Sequence, residues 1–176
     1  MKFKIFGIII LTILLSCGTS KTTTNATLNK DGDLIGLVTK NNFLQEPFNE
    51  WFSFNYNEYE INEEVIYKLK PIINTVKIKA FMGTWCGDSQ EQTPAFYKVL
   101  EAAEFNFKKL EMVCLDQSKK SPNNLQKGYN INRVPTFIFY KNGIEIGRFV
   151  EYPRESIEED FLKIVSEKEY KHSYEE

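Results

Sequence analysis

Phe81-Met82-Gly83-Thr84-Trp85-Cys86-Gly87-Asp88-Ser89-Gln90-Glu91-Gln92-Thr93-Pro94 joins two unlike patterns. Ahead of Gly83, Val76–Met82 (VKIKAFM) alternates and then runs apolar, as a strand entering a core does. Behind it, Ser89–Glu104 reads as a helix, with Phe96, Val99, Leu100 and Ala103 on one stripe and Pro94 inside as a kink. Cys86 therefore stands where a strand gives way to a helix. Backbone N–H groups and the helix dipole at such a terminus stabilise a thiolate, and the thiolate is the nucleophile of disulfide exchange. Position makes Cys86 the candidate reactive thiol.

Downstream, Leu110–Leu115 (LEMVCL) is a second buried strand, Pro122–Gly128 a short helix and Thr136–Tyr140 a strand. Asn142-Gly143 is a strong hairpin signal, and Ile144–Val150 returns as the partner strand. Ser156–Ser166 closes the domain as a helix with Ile157, Phe161, Leu162 and Val165 facing in, before a charged, frayed tail. Upstream, Asn62 caps a helix over Asn62–Lys70 that Pro71 ends. Leu34–Thr39 is a short apolar run, a strand or a packed lead-in. Residues 41–60 (NNFLQEPFNEWFSFNYNEYE) stay open. Phe52, Phe54 and Tyr56 alternate as in a strand, while Pro47 suits a helix start. Their aromatics either pack on the domain or form a substrate or partner surface. A helix between the first two core strands implies a parallel right-handed crossover. The last two strands form a hairpin. The expectation is an α/β fold, a mixed central β-sheet flanked by helices on both faces.

The stretch Phe81–Pro94, taken with Arg133-Val134-Pro135-Thr136, resembles the thioredoxin family. WCGxx lies at the strand–helix junction, Pro94 matches the family's helix-kinking proline, and Val134-Pro135-Thr136 matches the loop whose cis-proline faces the active cysteine. Val113–Gln117 and Lys141-Asn142-Gly143 are similar to thioredoxin segments as well, and the likeness covers Glu63–Ser166. The resemblance implies a thioredoxin-like fold, Cys86 and Ser89 at the catalytic position, and a substrate groove at Trp85, Gly87, Asp88, Val134 and Pro135. The Pro135 backbone would receive an extended peptide, and Asp116 would accept a hydrogen bond from the Trp85 indole. The departures bear on function. Ser89 stands where the family has its second cysteine, and a hydroxyl cannot resolve a mixed disulfide; it can donate a hydrogen bond to the Cys86 thiolate. Asp88 stands in place of a proline and raises the cost of a thiolate. Ala80 replaces a buried acid. Cys114 reads as a small buried hydrophobe, with a role as second thiol for Cys86 as the alternative. Arg133 is either a solvated arginine or a positive charge near the cysteine. His172 receives no role.

The N-terminus reads as an address. Two lysines in Met1–Lys4 precede Ile5–Leu15 (IFGIIILTILL), eleven uncharged residues, too short for a transmembrane helix. Leu14-Leu15-Ser16-Cys17-Gly18 resembles the lipobox of bacterial lipoproteins, which implies cleavage after Ser16 and a lipid on Cys17. Residues 1–16 are then a signal peptide, 17–33 a lipidated cysteine and flexible tether, 34–61 an aromatic extension, 62–166 the thioredoxin-like domain and 167–176 the tail. The expected location is the cell envelope, lipid-anchored to a bacterial membrane and facing outside the cytoplasm.

Composition narrows the classes. The chain has 176 residues and a net charge of −2, one domain with attachments and no positive excess for nucleic acid. One histidine and three cysteines are too few for a zinc site, and no cofactor is expected. Partners would be exported protein thiols or disulfides, or a partner reductase, and a monomer is expected. The first reading is a monothiol thiol–disulfide oxidoreductase acting through Cys86. The alternative is a redox-inactive peptide- or protein-binding module. A third is exchange through Cys86 and Cys114.

Overall fold

Alternation along the strand at 76–82 sorts its side chains to two faces, and the computed structural model, which describes residues 25–175, shows what each face meets. β1 (Thr27–Leu28) and β2 (Leu34–Val38) pair antiparallel at one edge. β3 (Lys77–Met82) pairs parallel with β4 (Leu110–Cys114) and antiparallel with β5 (Thr136–Lys141). β6 (Ile144–Val150) returns beside β5 through Asn142-Gly143, both at positive φ as a type I′ turn requires. The order β1-β2-β4-β3-β5-β6 makes a mixed sheet with its parallel pair at the centre. This is the expected thioredoxin-like arrangement.

One face carries the main core. Ile78, Ala80, Met82, Met112, Cys114, Phe137 and Phe139 turn toward α3 (Glu63–Ile73), α4 (Gly87–Ala102) and α5 (Ile157–Val165). Phe96 of α4 stacks on Phe137 with centroids 4.2 Å apart, and Phe161 of α5 meets Phe139 at 4.8 Å. Asn62 caps α3 by accepting from the Glu64 and Val65 amides. Pro71 does not end α3, which continues to Ile73. In the last turn the proline removes a single donor, and buried Ile73 holds that turn down. In α5 the buried face takes Ile164, and Leu162 is only half-buried.

On the opposite face Phe81, Val113, Leu115, Val134 and Ile138 are buried beneath Leu37, Trp85, Leu125, Tyr129 and Ile131. Most of this cover is the chain between β4 and β5, so among the described residues the α-helices pack on one face of the sheet and not, as expected, on both. In place of the helix expected over Pro122–Gly128 that chain holds one 3₁₀ turn, Pro122–Asn124, because Asn123 and Asn124 adopt positive φ.

The open segment resolves into helices, α1 (Lys40–Phe43) and α2 (Asn49–Glu58). Phe48, Phe52 and Tyr56, four residues apart, make the inward stripe. Phe52 stacks on Tyr56 and meets Tyr97 of α4 edge-on. Tyr56 donates to Glu101 of α4 at 2.5 Å. Burial and this carboxylate push its phenol up to about 12.

Both ends of the expected domain plan change. Part of the expected tether is sheet: Thr27 pairs with Ile35 and Leu28 with Leu34, closed by a turn in which Asn29 Oδ1 accepts from the Asp31 and Asp33 amides. Backbone pairing, not apolar burial, orders it. The tail is docked rather than frayed. Arg154 donates to the carbonyls of Lys171, His172 and Glu175, and the Tyr170 hydroxyl donates to Asp160 at 3.0 Å. The signal peptide at 1–16, Cys17 and the tether to residue 24 lie outside the described residues.

Candidate active site

Backbone hydrogen bonds build the turn from β3 to α4 and leave one sulfur at its surface. The Cys86 amide donates to the Gly83 carbonyl (3.0 Å), and the Gln90 amide donates to the Cys86 carbonyl (3.0 Å). Cys86 is thus the N-cap of α4, with extended backbone at φ −97° and ψ 124°. The amides of the first helical turn lack intrahelical acceptors, so Sγ lies at the positive end of the dipole. The residue is half-buried. Its Sγ donates to the Val134 carbonyl at 3.3 Å and lies 4.0 Å from Asp88 Oδ2.

The loop opposite is fixed from several sides. Val134-Pro135 is cis. Thr136 Oγ1 donates to the Arg133 carbonyl (2.7 Å), and the Glu151 amide donates to the Pro135 carbonyl (2.8 Å). Pro135 has no N–H, and its carbonyl is spent inside the fold. The Pro135 carbonyl, expected to receive an extended peptide, thus bonds within the fold, and the carbonyl that faces Sγ is that of Val134.

Three expected partners of Cys86 lie elsewhere. Ser89 is fully buried, and its Oγ accepts from the Gly83 amide at 3.2 Å. It braces the strand–helix turn rather than the thiolate. Cys114 packs on the helix-covered face with Sγ 3.2 Å from Met82 Sδ, whereas Cys86 packs against the cluster on the other face. The sheet separates the two sulfurs, and burial pushes the Cys114 thiol well up. Arg133 pairs with Glu151 at 3.0 Å and lies 3.7 Å from the centre of the Tyr174 ring, so its charge is taken. Ala80 is buried in β3, which leaves no acid there.

Trp85 is held as support. Its indole N–H donates to the Leu115 carbonyl at 2.8 Å, not to Asp116. Asp116 instead accepts from the Ser118 and Lys120 amides and turns the chain after β4. Gly87 and Asp88 are exposed beside Cys86. In water-like surroundings a carboxylate at that range costs a thiolate about 1 kcal/mol. A helix terminus contributes roughly 0.3–1 kcal/mol. The two act in opposite directions, and exposure and geometry carry the chemistry.

Four residues escape a reading of the sequence. A Cβ on Gly83 would lie 2.6 Å from the Trp85 indole, so the ring's position demands glycine. Thr84 Oγ1 accepts from the Leu34 amide (3.1 Å), tying β2 to the turn. Gln90 Nε2 donates to the Thr84 carbonyl (2.7 Å), and Asn55 Nδ2 of α2 donates to the Gln90 carbonyl (3.1 Å). Gly83, Thr84 and Gln90 carried one signal, closeness to Cys86; Asn55 carried none.

The family model for thioredoxin matches residues 44–164, more than half of the chain. The chain belongs to the thioredoxin family. The match starts ahead of α2, so it takes in that aromatic helix. Thioredoxin H2 of Arabidopsis thaliana is 25% identical over 91 residues, 52% of this chain and 64% of that protein. The chain thus spans less than two thirds of this thioredoxin's length. Among solved structures, a protein of unknown function from Pseudomonas aeruginosa superposes with a TM-score of 0.52 at 13% identity. It covers 67% of this chain and 83% of its own. An HIV epitope-scaffold gives 0.52 at 14% identity, covering 67% and 84%. These two likenesses are of fold.

Proposed function

We propose that this thioredoxin-family protein performs thiol–disulfide exchange with Cys86 as its single active-site thiol. We further propose that it works outside the cytoplasm, held to a bacterial membrane by a lipid on Cys17. The carrying observation is the asymmetry of the two described cysteines. Cys86 is half-exposed at a helix terminus opposite the Val134 carbonyl, and Cys114 is sealed behind the sheet. In the forward step the Cys86 thiol loses its proton to solvent, and the thiolate attacks a disulfide R–S–S–R′. A Cys86–S–S–R bond forms, and R′–S⁻ leaves and takes up a proton. A second thiol, from a small molecule or a partner reductase, then attacks the mixed disulfide and restores Cys86. Substrates are disulfides of exported proteins, and the working unit is a monomer without a cofactor.

Incubating the full chain with a peptide disulfide and reading intact mass tests this. One adduct at Cys86, absent in Cys86→Ser and reversed by added thiol, is expected; no adduct at Cys86 contradicts it. The Asp88 carboxylate near Sγ favours the second reading, a redox-inactive module that binds extended peptides. That reading expects peptide binding without an adduct.

A further inference from the structure

We propose that the end of the sheet farthest from Cys86 rests on anionic phospholipid headgroups, so that the thiol faces away from the membrane. Cys86 follows the C-terminal end of β3. At the opposite end, Lys77 opens β3, and Lys108 and Lys109 lead into β4. With Lys79, Tyr129 and Tyr140 they border one open cavity of about 490 Å³. Lys79 is paired with Glu111 and Lys109 donates to the Asn74 carbonyl, whereas Lys77 and Lys108 are exposed. The β5–β6 hairpin tip reaches the same end and presents Ile144, 70% exposed. Lysines around an exposed apolar tip suit a headgroup layer, where the charges meet phosphates and the side chain meets the acyl boundary.

The chain's path supplies the occupant. β1 runs antiparallel to β2 and so in the direction of β3 and β4, toward the Cys86 end. Its N-terminus therefore points toward the Lys77 end, although Asn25, whose Oδ1 accepts from the Leu37 amide, itself lies level with Val113 and Phe81. Between Cys17 and Asn25 lie eight residue steps, at most about 28 Å fully extended. A lipid on Cys17 therefore confines the domain close to the bilayer, where even a small patch acts at high effective concentration. Cleavage after Ser16 removes Lys2 and Lys4 and takes the net charge from −2 to −4, so the attraction is local to this end and sets orientation. The inference rests on the lipid-anchor reading.

The test uses the full chain purified from bacterial membranes, with the N-terminal peptide weighed first. Absence of a lipid on Cys17 sinks the anchor reading by itself. The lipidated chain is then placed in nanodiscs of phosphatidylcholine, with or without phosphatidylglycerol, and lysine acetylation is followed by peptide mass spectrometry. Slowing of Lys77 and Lys108 by about fivefold or more in the anionic discs, the size one lysine contributes at such a surface, is expected. Lys120, at the Cys86 end, should keep its rate, and high salt should remove the effect. Equal rates in both discs overturn the proposal. So does protection by inorganic phosphate in the neutral discs, which would make the cavity a site for free anions. The paired change K77E/K108E, on exposed side chains, should abolish the difference at Lys109.

Discussion

At the scale of single residues, the site is a balance between a helix terminus that favours the thiolate and a carboxylate that opposes it. Asp88→Asn removes the opposing charge 4.0 Å from Sγ. Alkylation of Cys86 at neutral pH should then rise about fivefold, the equivalent of roughly 1 kcal/mol. An unchanged rate would mean that Asp88 has no hold on the sulfur. Gly83→Ala forces a methyl into the indole of Trp85. Overpacking of this kind costs about 1–3 kcal/mol, read as a lower denaturation midpoint together with a shift in Trp85 fluorescence. Cys86 was legible because its chemistry follows from its place between two periodic patterns. Ser89 was misread because sequence gives proximity along the chain and not the direction of a side chain. Its hydroxyl turns inward to the Gly83 amide.

At the scale of elements, α2 is the part that periodicity left open. Two patterns overlap there: Phe52, Phe54 and Tyr56 alternate, while Phe48, Phe52 and Tyr56 repeat every four residues. Contact with Tyr97 and Glu101 of α4 chooses the second, and that partner lies far away in the sequence. Phe52→Ala empties a fully buried site and should cost about 3–5 kcal/mol in chemical denaturation. Phe54→Ala, on an exposed side chain, should cost less than about 0.5 kcal/mol. Equal costs would place the buried stripe elsewhere. The hairpin and the Asn62 cap were legible because each is a local device. The early end assigned to α3 at Pro71 and the helix assigned over Pro122–Gly128 failed for the same reason in reverse. Tertiary burial of Ile73 overrode a local breaker, and positive φ at two asparagines broke a local former.

At the scale of the whole molecule, the tail is a strap across the sheet edge rather than loose chain, and Asp160 is its anchor. Burial raises the Asp160 carboxyl above its ordinary value of 3.8, although the Arg154 amide and the Tyr170 hydroxyl both donate to it. A raised carboxyl binds its proton more tightly in the folded state, so stability is lost as pH rises from 3.8 through the raised value. Asp160→Asn does not titrate. Its stability relative to the parent should grow as pH rises across that window, measured by thermal unfolding at a series of pH values. A flat difference would place the carboxyl in water. The strap was illegible in a run of charged residues because Arg154 pairs with backbone carbonyls, which every sequence offers equally. The proposed exchange needs one thiol acting alone. The most direct measurement is reaction of the native full chain with excess aromatic disulfide, counting released thiol and mapping the modified cysteine. One equivalent released, with the adduct on Cys86 and Cys114 untouched until denaturation, is expected. A Cys86–Cys114 disulfide, or no release from the native chain, would contradict it.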